Sequence, residues 1–226
     1  MPPTPPASRP ADPFRDARGR AQFAAVEKWV RGHLGRTDHE LRVAEICATV
    51  FDLTAPLHAL EAKQHLRLLR LAALVHDVGR SVDQPEHPAH GAAMLLSDES
   101  LPLTAAERRA LAYLTLYHRG AVPDAGDDDV LHPEDDHAGL LKLLGLLRCA
   151  DGLDSRSLES PRLVFALLAG SRPRRATVRV TCYLQSESDK VRRVYQRPKK
   201  FRLLEQTLGC RVEVEVASAQ ALRMVA

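Results

Sequence analysis

Up to about Asp154 the apolar residues of this chain fall three and four positions apart, the spacing of one buried helix face. The first such stripe, Phe23, Val26 and Val30, predicts a helix over 18–34. Thr37 and Glu40 stand in capping-box spacing ahead of a second stripe, Val43, Ile46, Cys47 and Val50. A third helix begins near Glu61, buries Leu69, Ala72 and Ala73, and closes on Gly79, a residue suited to a left-handed position after a helix end. Pro88 marks the start of a fourth, on which His90 and Met94 share a face. Thr104 and Glu107 repeat the capping pattern before Leu111 and Leu114, with His118 just ahead of Gly120. Acidic, proline-containing residues over 123–136 predict a loop, and Leu140, Leu144, Leu147 and Asp151 share one stripe of a long last helix.

Beyond Pro161 the period changes to two. ATVRVTCYLQ and RVEVEVA alternate as strands do, and a basic helix interrupted near Pro198 separates them. The pattern therefore predicts a mainly α fold with a small C-terminal β-α-β appendage. Residues 18–160 form the helical domain and 161–226 the appended unit. Residues 1–17 hold six prolines in MPPTPPASRPADPF and no apolar period, so they are expected to form a disordered tail that cannot offset its ordering entropy.

Composition changes this picture in two places. Aromatic residues make up only 4% of the chain, so Leu, Val and Ala must fill the core. The net charge of +3 hides a division: residues 156–211 carry a surplus of ten positive charges and the remainder an excess of seven negative ones. A basic stretch of this kind suits phosphate-rich partners, nucleic acid among them, and equally suits a solvated face. Apolar runs fall short of the ~20 residues a membrane span needs, and the start of the chain lacks a secretory signal pattern, so a cytoplasmic protein is expected. Cys47, Cys149, Cys182 and Cys210 are widely spaced, which predicts reduced, buried thiols rather than disulfides or a thiolate zinc site.

The candidate chemistry lies where polar residues interrupt the buried stripes: His39, the pair His76 and Asp77, His118 and Asp151, with His90 a sixth. A carboxylate in the last turn of a helix faces the negative end of the macrodipole, which costs roughly 0.3–1 kcal/mol unless a cation sits nearby. Ionised carboxylates are almost never buried without a partner or a metal. Imidazole and carboxylate together form a usual ligand set for Mn, Fe, Co, Ni or Zn, or for Mg where oxygen dominates, and a helical bundle can bring such groups from facing helices to one point. A lone histidine on an apolar face is more often a satisfied core residue. His33, His58, His65, His132 and His137 receive that reading or simple exposure.

The order His39, then His76-Asp77, then a distant Asp151 resembles the signature of the HD phosphohydrolase superfamily. The stretches LAALVHDVGR, HPAHGAAMLL, LTLYHRGAVP and LLRCADGLDSRS look more narrowly like the C-terminal HD domain of the exopolyphosphatase and guanosine pentaphosphatase (Ppx/GppA) family, over roughly 37–216. That resemblance implies an HD-domain helical bundle. It also implies that His39, His76, Asp77 and Asp151 hold a first divalent metal ion and that His90 and His118 can hold a second. His87 competes with His90, and the Gly91 that follows His90 favours the latter.

The family's phosphatase chemistry belongs to actin-like ATPase-type domains that have no counterpart here, so the implied activity is that of the HD site itself. Two ions there would clamp phosphoryl oxygens and lower the pKa of a bound water, with Asp77 as bridge or base. Arg80 and Arg119, each just past a ligand at a helix end, suit either phosphate oxygens or the helix's last carbonyls. The expected activity is a metal-dependent phosphomonoesterase or phosphodiesterase acting on a nucleotide, polyphosphate or another phosphorylated small molecule. The alternative is a regulatory module that senses polyphosphate, a nucleotide or nucleic acid without turnover.

Overall fold

The structure, a computed structural model, describes residues 17–124, 126–170, 176–185 and 188–222. The proline-rich stretch expected to be disordered falls, but for its last residue, outside the described residues. Among the described residues seven helices come first: α1 (Ala17–Leu34), α2 (Asp38–Leu53), α3 (Ala55–His58), α4 (Ala62–Val75), α5 (His87–Ser97), α6 (Ala105–Tyr117) and α7 (His137–Gly152). Their stripes bury as the spacing predicts. Val26 and Val30 of α1, Val43, Cys47 and Val50 of α2, Leu69, Ala72 and Ala73 of α4, Leu111 and Leu114 of α6 and Leu140, Leu144 and Leu147 of α7 all belong to one core. Among the described residues, no helix is long and apolar enough to cross a membrane.

Local signals succeed at one helix start and fail at another. At α6, Thr104 accepts from the Glu107 backbone N–H at 3.2 Å and the Glu107 side chain accepts from Thr104 N–H at 2.8 Å, a complete capping box. At α2 the same spacing does not cap. The Thr37 side chain makes no cap hydrogen bond, and Glu40 is fully buried and paired with Arg156. Gly79 also departs from expectation, because its φ is not positive and it lies within a 3-10 turn, Val78–Ser81. A Cβ there would meet the His87 carbonyl oxygen at 2.1 Å and the Gly91 nitrogen at 2.4 Å. Glycine is required for the close approach of α5, not for handedness.

The C-terminal part is larger by one strand than the alternation predicts. β1 (Arg162–Leu168) pairs antiparallel with β2 (Thr177–Leu184), from Arg162 opposite Tyr183 to Leu168 opposite Thr177. β2 pairs in parallel with β3 (Arg211–Ser218), from Thr177 opposite Arg211 to Leu184 opposite Ser218. The crossover between β2 and β3 consists of α8 (Asp189–Tyr195), a second 3-10 turn at Pro198–Lys200 and α9 (Arg202–Leu208), so the interruption at Pro198 is present. A short α10 (Ala219–Leu222) follows. RLVFALL has no polar alternation, which hid β1; as an edge strand it is only partly buried.

Val178, Val180, Cys182 and Leu184 turn one face of β2 inward, and they share a continuous core with Tyr195, Leu204 and the helices before them. α9 lies on α7 and β1 touches α2. All four cysteines are free and buried, and burial pushes their thiols up, as befits core residues.

Candidate metal centre

Three helix C-termini and two N-termini point at one place. His76 caps the C-terminus of α4 and Asp77 follows it; His118 caps α6; Asp151 lies in the last turn of α7. His39 comes from the first turn of α2 and His87 is the first residue of α5. The negative ends of three macrodipoles thus meet several carboxylates, a field that favours a cation.

The histidines are all oriented in the same way. The Nδ1 atoms of His76, His87 and His118 lie 2.8, 2.7 and 2.6 Å from the carbonyl oxygens of Ala73, Gln84 and Thr115, each three residues earlier. His39 Nδ1 lies 2.6 Å from Asp154 Oδ2, and Arg42 holds that carboxylate with hydrogen bonds of 3.0 and 3.1 Å. Carbonyls and carboxylates only accept here, so each Nδ1 carries the proton and each Nε2 presents a lone pair inward.

Those lone pairs face carboxylate oxygens and one another. His39 Nε2 and His76 Nε2 are 3.5 and 3.7 Å from Asp151 Oδ1. His87 Nε2 and His118 Nε2 are 3.0 and 3.6 Å from Asp77 Oδ1 and 3.2 Å from each other. Asp77 Oδ2 lies 3.8 Å from His76 Nε2, so this carboxylate stands between the two groups. Each group, His39 with His76 and Asp151, and Asp77 with His87 and His118, presents its donor atoms within 4.8 Å of one another. His76 Nε2 is buried and has no hydrogen-bond partner. Acceptor facing acceptor is repulsive unless a cation lies between them, and nitrogen with carboxylate oxygen suits a divalent transition metal. The residues present fit such an ion.

Electrostatics agree. Burial alone would push the His76 imidazole down, but Asp77 and Asp151 reverse this and raise it to about 9. Burial likewise opposes ionisation of the two carboxylates. His76, His118 and His87 hold Asp77 well below the usual range, and His39, His76 and Lys200 do the same for Asp151. Burial pushes His118 down despite the nearby Asp77. Without a metal ion a proton on His76 Nε2 supplies part of the positive charge the cluster demands, and a divalent ion would take its place.

His90 does not join the cluster, and His87 stands in the place expected of it. His90 is half-buried on α5, whereas His87 is wholly buried. Gly91 misleads when assigned to its neighbour, because it lies one turn after His87 and shares that residue's face. A Cβ on Gly91 would meet Thr115 Cγ2 at 2.8 Å and Gly79 N at 3.3 Å, so Gly91 seats α5 on the 3-10 turn and thereby presents His87.

A cleft of about 400 Å³ opens above the carboxylates, with Arg80, Arg119, Arg156, Arg197 and Lys200 among its lining residues. Arg80 lies 3.5 Å from Asp77 Oδ2. Arg156 donates from Nε to Asp77 Oδ2 at 3.0 Å and from a terminal nitrogen to Glu40. Lys200 donates to Asp151 Oδ2 at 2.6 Å. In the sequence Arg156, Arg197 and Lys200 count only toward the basic stretch that suits an anionic partner, and their places at the cluster, like those of Asp154 and Glu40, are not marked by the stripes. The LDSRS stretch after Asp151 was the available signal for Asp154 and Arg156; nothing local aims Lys200 at Asp151. Arg148 and Lys142, on α7, serve the framework: Arg148 binds the carbonyls of Tyr117 and Gly120, and Lys142 that of His58.

Residues 24–170 match the family of Ppx/GppA phosphatase, domain III. No curated protein matches the chain. The family match spans every residue of the two donor groups and ends before β2, so Arg197 and Lys200 stand outside it. The chain therefore belongs, through this domain, to the Ppx/GppA phosphatase family.

Proposed function

We infer that this protein is a metal-dependent phosphohydrolase that cleaves a phosphomonoester or phosphodiester of a nucleotide or another phosphorylated small molecule. The observation that carries the reading is the arrangement of four imidazoles, each with Nδ1 tied back and Nε2 turned toward a buried carboxylate. His39, His76 and Asp151 would hold one divalent ion and Asp77, His87 and His118 a second, with Asp77 reaching both sets. A divalent ion there supplies Lewis acidity toward a phosphoryl oxygen and makes water a better nucleophile at neutral pH.

The chain's own residues supply the rest. Arg119 and Arg197 line the open cleft, where guanidinium groups can bind non-bridging phosphate oxygens. Arg80 and Arg156 already contact Asp77 and sit where a phosphoryl group on that carboxylate's outer side would meet them. Around the cluster, Glu40, Asp77, Asp151 and Asp154 are matched by Arg42, Arg80, Arg156 and Lys200. Adding divalent ions to that near-neutral set leaves a positive site, which favours an anionic substrate.

Metal analysis of the purified protein, followed by phosphate-release assays with Mn, Co, Ni and Mg, tests the proposal. Wild type should bind metal and turn over, and Asp77→Ala should lose metal and lower turnover by about 100-fold or more while remaining folded. Metal-dependent binding of a phosphorylated ligand with no turnover under any metal would favour a sensing module instead. Wild-type activity in Asp77→Ala would remove the assigned site.

A further inference from the structure

Lys200 carries the C-terminal unit to the donor cluster. Lys200, the last residue of the second 3-10 turn, donates from Nζ to Asp151 Oδ2 at 2.6 Å. The other oxygen of that carboxylate, Oδ1, faces His39 Nε2 and His76 Nε2 at 3.5 and 3.7 Å. The two oxygens of Asp151 are thus divided, one toward the imidazoles and one toward an ammonium.

The route of the lysine is built into α7. A Cβ on Gly152 would meet Lys200 Cβ at 3.0 Å, Cγ at 3.3 Å and Cδ at 3.6 Å, so the aliphatic stem runs along bare helix backbone and delivers Nζ one residue back, to Asp151. Gly145 makes the matching allowance for α9, whose Leu204 backbone would lie 3.1 Å from an added Cβ. Docking of this unit does not depend on the ion pair, since Phe201, Leu204 and Leu208 already join the common core. An exposed lysine–carboxylate pair contributes little to stability, but a pair that engages one oxygen of a buried carboxylate determines which oxygen is left to bind something else.

We propose that Lys200 is a positioning residue of the metal centre: by engaging Asp151 Oδ2 it restricts that carboxylate to binding metal through Oδ1. The inference rests on the metal reading above, and it makes the crossover between β2 and β3, which lies beyond the family match, a working part of the site. Carboxylates bind divalent ions through one oxygen or both. Freeing Oδ2, and removing a positive charge that repels the ion, should tighten metal binding while taking up a position that a catalytic site leaves open.

Calorimetric titration of the full chain with Mn²⁺, together with visible absorption spectra of the Co²⁺-loaded protein, provides readouts independent of activity. Lys200→Met keeps the stem and should bind Mn²⁺ about tenfold more tightly, with an altered Co²⁺ spectrum and a lower kcat. Lys200→Arg should restore the wild-type spectrum and affinity. Lys200→Met that binds Mn²⁺ within about twofold of wild type with an identical Co²⁺ spectrum, or that binds more weakly, would overturn the inference and leave the metal reading intact. Wild type that binds neither ion would overturn both.

Discussion

His87 and His90 stand three residues apart on α5, and only His87 reaches Asp77 and His118. Its Nδ1 is tied to the Gln84 carbonyl at 2.7 Å, which commits Nε2 to the interior; such hydrogen bonding typically fixes a metal ligand's tautomer. His87→Ala should therefore lower the metal stoichiometry, or weaken metal binding by about 10- to 100-fold. His90→Ala should leave stoichiometry unchanged. Metal analysis after dialysis distinguishes them, and the reverse ranking would move the second donor group one turn along α5. Glu40 teaches the same lesson. Its spacing from Thr37 is that of a capping box, yet its side chain is buried beneath Arg156, because the demand of a cationic arm outweighs a cap worth about 1 kcal/mol.

At the scale of elements, the donor groups form only if α5 lies hard against the end of α4. Gly79 provides that contact, since its missing Cβ leaves room for the His87 carbonyl and the Gly91 nitrogen, both backbone atoms that cannot swing aside. Gly79→Ala should push α5 outward, cost about 1–3 kcal/mol of stability, and weaken metal binding with it. Gly32, within α1, has nothing within 4 Å of a Cβ, so Gly32→Ala should stabilise by up to about 1 kcal/mol. Chemical denaturation of the two variants should thus show shifts of opposite sign from one kind of substitution. An unchanged midpoint in Gly79→Ala would mean that α5 does not depend on this approach.

Across the whole molecule, the charge division read from the sequence takes on a direction. Arg197 and Lys200 from the basic half line the cleft over the acidic cluster, while Arg193 and Lys199 of the same segment are exposed beside them. Arg172, Arg174 and Arg175, part of the same basic stretch, lie outside the described residues. Neutralising Arg193 and Lys199 to Gln, which leaves the cleft itself untouched, should raise KM for an anionic substrate a few-fold at low ionic strength. The difference from wild type should vanish as salt shortens the Debye length to about 3 Å near 1 M. Equal KM values at every salt concentration would leave these charges as a solvated face.

Local pattern alone determined six of the seven helices that precede the sheet, the interrupted basic helix and the two alternating strands, because helix and strand periods are properties of neighbouring residues; α3, four residues long, is too short to show a period. It also singled out His39, His76, Asp77, His118 and Asp151, since a polar group on a buried stripe is conspicuous wherever the chain goes afterwards. β1 lay beyond that method: a short, unbroken apolar run becomes a strand only when β2 offers it hydrogen bonds. So did the choice of His87, which follows from the packing of Gly91 and Gly79, and the arrival of Arg156 and Lys200 at Asp77 and Asp151. Periodicity reports which face of an element is buried. Which side chains meet across elements separated by tens of residues is decided by how closely the backbones approach, and only the tertiary structure contains that distance.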